Sequence, residues 1–212
     1  VRHRARDGEA VTVLPELDAV LVHRLRDGEA IALLEHRILD PAAVVVVDLN
    51  RASVRPRILR VVIRHDEDHR GGEVCAEFSA TLVLGHMRGT PETMRAHAQY
   101  EDVRSEVASE LGASVARALA KGVDRDQLVI DPGIGFSKGV EESLAMLVSS
   151  DWLKAELGLP VLVGPSRKSF LGAVTGEEVE ARDAATWAAC ALAVYSGADA
   201  VRVHEPRGAA RA

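Results

Sequence analysis

The sequence predicts an α/β fold whose strands run parallel. Three features predict it. Four short β-rich apolar runs recur between Thr81 and Val203, a helical pattern follows or precedes each, and each run stops at charged or glycine-containing residues. Strands alternating with helices imply parallel pairing through right-handed crossovers. The loops leaving such strands gather at one mouth, where helix N-termini aim free N–H groups, so ligands are expected there. With 212 residues and an apolar fraction of 47%, one domain with an ordinary core is expected.

The chain opens differently. From Val1 to about Gly72 there is no Lys, no Gln and no aromatic residue, while Arg, His, Val, Ala, Asp and Glu abound. Aromatic side chains usually anchor a core because each buries much surface. Residues 1–72 are therefore set apart as an atypical N-terminal segment ahead of a regular portion over 73–212. HRARDGEAV from His3 and HRLRDGEAI from His23 resemble each other, but two copies fall short of the ~3 that a solenoid needs. Ala19 to Val22 is expected as a short strand, Glu29 to Leu39 as a helix, and Ala42 to Leu49 as a buried parallel strand. HDEDHRGGE, from His65 to Glu73, crowds histidines and carboxylates of the kind divalent ions favour into one polar turn. These residues are adjacent rather than spaced along a helix face, and a solvated loop is the plainer account.

From Glu77 the alternation is regular. Strand Thr81 to Leu84 leads to His86, Met87, Arg88 and Gly89, and Thr90 is expected to cap a helix with Pro91 at its first position. Val103, Val107, Leu111, Val115 and Leu119 recur every fourth residue up to Gly122, the pattern of an amphipathic helix covering a sheet. Leu128 to Ile130 is the next strand, followed by a glycine loop and a helix around Glu141 to Leu147. Asp151 is expected to cap a further helix that Gly158 stops, before strand Val161 to Val163. An alanine-rich helix over Glu180 to Tyr195, with Trp187 and Leu192 among its apolar residues, ends at Gly197. Strand Ala200 to Val203 is the last, and its helix is missing or very short.

Chemistry concentrates where the strands end. VLVGPSRKSF, from Val161 to Phe170, sets Ser166, Arg167, Lys168 and Ser169 where a strand turns into a helix. Two cations and two hydroxyls there make an anion site, with a solvated basic turn as the plain alternative. LVIDPGIGF, from Leu128 to Phe136, ends its strand in Asp131. A carboxylate at the end of an apolar strand is partly desolvated and needs donors, and a flat heterocycle with amino and ring N–H groups supplies two at once. A turn or N-cap carboxylate ahead of Pro132 is the alternative. Gly133 and Gly135 let the backbone approach a ligand, and Phe136 offers an aromatic wall. AVRVHEP, from Ala200 to Pro206, sets Arg202 and His204 on one face, because alternate strand residues share a face. Parallel strands would bring Asp131, Lys168, Arg202 and His204 to the same mouth.

TLVLGHMRGTPETM, DPGIGF, SRKSF and RVH, in that order and approximate spacing, resemble the dihydropteroate synthase family of the folate pathway over roughly Cys75 to Arg207. The resemblance implies a (β/α)8 barrel of the TIM type, with its later four βα units recognisable and its N-terminal half atypical or incomplete. It implies Asp131 and Lys168 as the catalytic pair. Asp131, Gly164, Lys168 and Arg202 would surround the pterin, the carboxylate on the amino edge and the lysine on the carbonyl side of the ring. Phe136, Arg167 and Ser169 would surround p-aminobenzoate, with Ser169 receiving its carboxylate. Arg202 and His204 would hold the pyrophosphate and stabilise it as it leaves. The implied reaction is a transfer. The amine of p-aminobenzoate displaces pyrophosphate from 6-hydroxymethyl-7,8-dihydropterin diphosphate to give 7,8-dihydropteroate, with early C–O cleavage. Mg2+ on the pyrophosphate, with no protein ligand assigned, a homodimer and sensitivity to sulfonamides complete what the resemblance implies.

The family's early motifs, of the kind NVTPDSF and GGESTRPG, have no counterpart before Cys75. Gly85 stands where members place a larger apolar residue, and Ser137 where they place glycine. The opening segment is accounted for as a divergent half that completes the fold, an early region read out of frame, or a partner-binding extension. The alternatives to a working synthase are accordingly a non-catalytic pterin-binding paralogue and a truncated or frame-altered inactive synthase. A pterin-dependent methyltransferase domain shares the barrel type, but SRKSF with its p-aminobenzoate serine argues against it. If the segment is not a barrel half, the strands from Thr81 and Ala200 are expected to lose a neighbour each and leave open edges.

Composition narrows the partners. A net charge of -6 gives no electrostatic reason for nucleic acid. Cys75 and Cys190 lie far apart and outside any CxxC spacing, so neither zinc nor a disulfide framework is suggested, and a reducing cytoplasm is expected. No apolar run approaches the ~20 residues that span a bilayer, and no apolar leader opens the sequence, so a soluble, unexported chain with no membrane partner is expected.

Overall fold

The computed structural model describes residues 75–76 and 81–212 with their side chains and, ahead of them, the backbone of six strands. Strands β1 (Arg2–Arg4), β2 (Glu9–Leu14) and β3 (Ala19–Arg24) form an antiparallel sheet in that order. Strands β4 (Leu33–Glu35), β6 (Leu59–His65), β7 (Thr81–Gly85) and β8 (Leu128–Asp131) form a parallel sheet in that order, and β5 (Val44–Val47) belongs to another. A parallel bridge from Ile130 to Val161 links β8 to the edge of β9 (Leu162–Val163), which pairs in parallel with β10 (Ala200–Val203). The alternating α/β architecture read from the sequence is therefore present.

Two expectations for the early segment are corrected. The helix expected over Glu29 to Leu39 gives way to β4, whose Leu33, Leu34 and Glu35 pair with Leu59, Arg60 and Val61. A short apolar run satisfies either period, and the available partner strand decides. The strand expected near Ala42 to Leu49 exists as β5 but runs antiparallel to β10, from Val44↔Val203 to Val47↔Ala200. An all-apolar run carries no information about direction. Neither inner edge is left open: β6 covers β7 from Val61↔Thr81 to His65↔Gly85, and β5 covers β10. The His65 to Glu73 turn lies outside the described residues except for the strand end at His65.

Helix α1 (Val103–Ala120) starts at Asp102, whose carboxylate accepts the Arg104 N–H at 3.0 Å, while Glu106 accepts the N–H groups of Glu101 and Asp102. It buries Val107, Leu111, Val115 and Ala118. Leu119 is 38% exposed, against the simple every-fourth-residue pattern. Each four-residue step overshoots a helical turn by about 40°, so the face drifts until Ala118 replaces Leu119. Helices α2 (Val140–Leu147) and α3 (Ser150–Leu157) follow β8. Ser149, rather than Asp151, precedes α3, because the Asp151 N–H is drawn to the Ser196 carbonyl at 2.9 Å. Gly158 stops α3 in the left-handed region, as expected. After β9 come α4 (Ser169–Thr175) and α5 (Asp183–Tyr195), and after β10 the short α6 (Pro206–Ala209). Residues 91–93 form a turn and Met94–His97 a short 3-10 helix, so Pro91 serves a turn rather than a helix headed by Thr90.

One core joins these elements. Leu82, Leu128, Ile130 and Val163 from the strands meet Leu111 from α1 and Leu153 from α3. Each such fully buried side chain contributes about 2 kcal/mol, which fixes the strand ends from which the site is built.

Candidate active site

Asp131 closes β8 and is 3% exposed. Its Oδ1 accepts the Gly133 N–H at 2.8 Å, and its carbonyl accepts the His86 N–H at 2.9 Å. The turn role considered for this carboxylate is thus real, but it occupies only one oxygen. Gly133 has φ +66°, and a Cβ there would lie 1.8 Å from the His86 carbonyl oxygen. The loop after β8 can pass the end of β7 only because this residue has no side chain.

Lys168 reaches across from the loop after β9. Its ammonium donates to the Ile134 carbonyl and stands 4.4 Å from the centre of the Phe136 ring. Burial pushes its pKa down to about 8; Asp131 opposes the shift and Arg202 adds to it. Asp131, Lys168, Arg202 and Phe136 therefore share one electrostatic neighbourhood. Gly164 adjoins them: a Cβ there would stand 3.3 Å from Arg202 Nε, so glycine leaves the guanidinium its place beside β9.

His204 follows β10. Ser166 Oγ accepts the His204 backbone N–H at 3.1 Å and lies 2.7 Å from Nδ1. Arg167 is turned toward α5. Its Nε and one terminal nitrogen meet the two oxygens of Asp183 at 2.8 and 3.0 Å, and its backbone N–H meets Thr186 at 3.0 Å. This fork holds Asp183 below the usual carboxylate range. Arg167 has φ 54°, and the Thr186 and Asp183 contacts hold it in that unfavourable conformation. Ser169, the first residue of α4, is exposed. The structure thus gathers Asp131, Gly164, Lys168, Arg202 and Phe136, sets His204 beside Ser166, and ties Arg167 into the helix behind.

A second cluster was not visible in the sequence. His86, 4% exposed, faces Glu110 through Nε2 at 2.9 Å and Lys138 through Nδ1 at 2.7 Å. Arg88 Nε donates to Glu110 at 2.9 Å, another of its nitrogens meets Glu106 at 2.7 Å, and its guanidinium covers Tyr100 at 4.1 Å. Burial, foremost, and Lys138 push His86 down to about 4, so the ring is neutral near pH 7. Burial works against Glu110, yet the hydrogen bonds from Arg88 and His86 keep it below the carboxylate range. Ser137 has φ 46°, which its hydroxyl helps to hold by accepting the Arg88 N–H at 2.9 Å and donating to the Phe136 carbonyl at 2.8 Å. These hydrogen-bond partners of His86 and Arg88 lie 18 to 52 residues away in sequence, so no local pattern joins them.

The pterin-binding enzyme family matches residues 61–204, more than half of the chain. A dihydropteroate synthase from Synechocystis is 38% identical over 168 residues, which are 79% of this chain and 53% of that protein. The mitochondrial folate synthesis bifunctional protein of Arabidopsis thaliana is 34% identical over 210 residues, 94% of this chain and 35% of that protein. Among solved structures, dihydropteroate synthase from Thermus thermophilus matches with a TM-score of 0.65 at 39% identity, covering 70% of this chain and 61% of that one. That enzyme is also solved in complex with 6HMPPP and with 4-aminobenzoate. The chain spans about half the length of the first of these relatives and less of the second.

Proposed function

This chain belongs to the pterin-binding enzyme family, and we propose that it catalyses the dihydropteroate synthase reaction of folate synthesis, on the (β/α)8 barrel that its solved relatives suggest. The observation that carries the reading is the Lys168 ammonium, 4.4 Å from the centre of the Phe136 ring and within the electrostatic reach of Asp131 and Arg202 at the strand ends. Asp131 has one oxygen committed to Gly133 and the other available for the amino edge of a pterin. Lys168 supplies the complementary donor for the ring's carbonyl side, and Gly164 leaves room for Arg202 beside it. Phe136 forms the wall against p-aminobenzoate, whose carboxylate goes to Ser169, and Arg167 adjoins this subsite with its backbone N–H fixed on Thr186, ahead of Lys168 and Ser169.

In the step itself the C–O bond of the pterin diphosphate breaks, the electron pair leaves with pyrophosphate, and the p-aminobenzoate nitrogen bonds to the pterin methylene carbon and releases a proton. Asp131 stabilises the cationic pterin, while Arg202 and His204 hold the departing oxygens. No side-chain nucleophile is needed. Among the described residues no three His, Cys, Asp or Glu side chains converge to hold a metal ion. We therefore assign magnesium to the diphosphate, as part of the substrate, rather than to a resident site in this region. Titrating the full chain with the pterin diphosphate in a calorimeter tests the pocket. Saturable one-to-one binding is expected, and no heat at any concentration up to the millimolar range would remove the reading.

A second reading is a pterin-binding chain without catalysis. Binding of the pterin without turnover would select it. For assembly, α4 and α5 present exposed apolar side chains: Val174 at 59%, Leu192 at 51% and Tyr195 at 90% exposure. Covering them is what a homodimer through this face would achieve. Sedimentation at micromolar concentration is expected to give a dimer, and Leu192→Glu a monomer; a wild-type monomer would remove the dimer. We assign the chain to a reducing cytoplasm, where thiols buried as Cys75 and Cys190 are stay reduced. Among the described residues no helix is long and apolar enough to cross a membrane.

A further inference from the structure

Lys138 is a buried titratable group that the proposed chemistry leaves unused. It is 8% exposed and ends the loop that starts at Asp131. Its ammonium has three hydrogens and meets three acceptors: His86 Nδ1 at 2.7 Å, the Phe136 carbonyl at 3.2 Å and the Gly133 carbonyl at 3.3 Å. The protonation pattern behind it is fixed. Ionised Glu110 can only accept, so the His86 proton lies on Nε2 and Nδ1 offers a lone pair to Lys138. Only the ammonium satisfies all three acceptors, since a neutral amine has two hydrogens.

We propose that Lys138, in its protonated form, is the positioning residue that sets the 133–136 loop under the pterin and p-aminobenzoate subsites, with His86 and Glu110 fixing it from behind. The inference rests on the reading of this mouth as a pterin site. The same loop carries the Gly133 N–H that orients Asp131, the Ile134 carbonyl that receives Lys168, and the Phe136 ring. Two lysines therefore grip one loop, Lys168 at the Ile134 carbonyl and Lys138 at the Gly133 and Phe136 carbonyls on either side of it.

The groups that face Lys138 come from every neighbouring element. Arg88 and His86 lie after β7, Glu110 is on α1, Asp131 ends β8, Lys168 follows β9, and the Tyr100 ring lies at 5.8 Å. Burial, the main cause, lowers Lys138 to about 7; Asp131 and Glu110 oppose this, while Lys168 and Arg88 add to it. As pH rises through about 7 the amine loses one of its three donors, and one loop carbonyl or His86 Nδ1 is left without a hydrogen. The loop is then held less firmly, and pterin binding weakens.

The test is a pH titration of the 15N-labelled full chain by NMR, paired with calorimetry of the pterin diphosphate. His86 is expected to keep its proton on Nε2 from about pH 6 to 9, while its Nδ1 signal and the Gly135 and Phe136 amides move together with a midpoint near 7. In Lys138→Met those shared movements vanish. Pterin affinity is expected to fall about tenfold in Lys138→Met at pH 6 and to match wild type at pH 9, whereas Lys138→Arg, charged throughout, binds more tightly than wild type at pH 9 and loses affinity only as Lys168 deprotonates near 8. Loop amides that ignore pH near 7 in wild type, or equal affinities of wild type and Lys138→Met at pH 6, would overturn the proposal. A wild type that binds no pterin while its loop amides titrate as described would instead remove the pterin reading and support Lys138 as the group that sets the loop.

Discussion

Asp131→Asn is expected to weaken pterin binding by about 100-fold or more while leaving the chain folded. The substitution keeps an oxygen for the Gly133 N–H, so the turn survives. It replaces the second carboxylate oxygen by an amide NH2 that faces the ligand's own donors. Losing two charge-assisted hydrogen bonds costs about 3 kcal/mol, which is about two orders of magnitude in affinity. A second effect has the same sign. Asp131 supports the Lys168 proton against burial and against Arg202, so the variant's lysine deprotonates below its wild-type midpoint of about 8. Residual binding in the variant should therefore fall more steeply between pH 6 and 8 than in wild type. Calorimetry with a thermal melt as control measures both, and unchanged affinity would remove Asp131 from the site.

Gly133→Ala is the substitution expected to damage the fold most. Its Cβ would lie 1.8 Å from the His86 carbonyl oxygen, a backbone atom with no rotamer to escape into. Left-handed strain and overpacking together cost about 2–4 kcal/mol, a fall in Tm of about 5–15 °C for a chain of this size. Gly176→Ala is the matched control. Gly176 has φ +77° with nothing within 4 Å, so that variant bears the strain alone, about 1 kcal/mol. Equal losses in the two variants would show that the 133–136 loop does not pass β7 as described.

What the sequence disclosed and what it hid divide along physical lines. The later strands and their ends were legible because each apolar run halts at a charged or glycine residue, while the roles expected of Asp131, Lys168 and Arg202 came from the resemblance of DPGIGF, SRKSF and RVH. Direction was not legible: Val44 to Val47 reads identically either way, and pairing with β10 set it antiparallel. Leu33 to Glu35 fitted a helix locally, and β6 drew it into a sheet. Arg167 was expected beside p-aminobenzoate from the SRKSF resemblance, and its fork with Asp183, 16 residues on, leaves no local trace in the sequence. The His86, Glu110 and Lys138 cluster left no local trace, since strand, helix and loop bring it together only after folding. A buried lysine beside a histidine is seen only when the β7 and β8 ends are placed in register, with Gly85 opposite Asp131.

The most direct test is pyrophosphate release by the full chain, measured with the pterin diphosphate and p-aminobenzoate together and with each alone. The predicted result is release that requires both substrates, forms 7,8-dihydropteroate in equal amount, and disappears in Asp131→Asn. Saturable pterin binding with no release when both substrates are present would contradict catalysis and leave a chain that holds a pterin without transferring it.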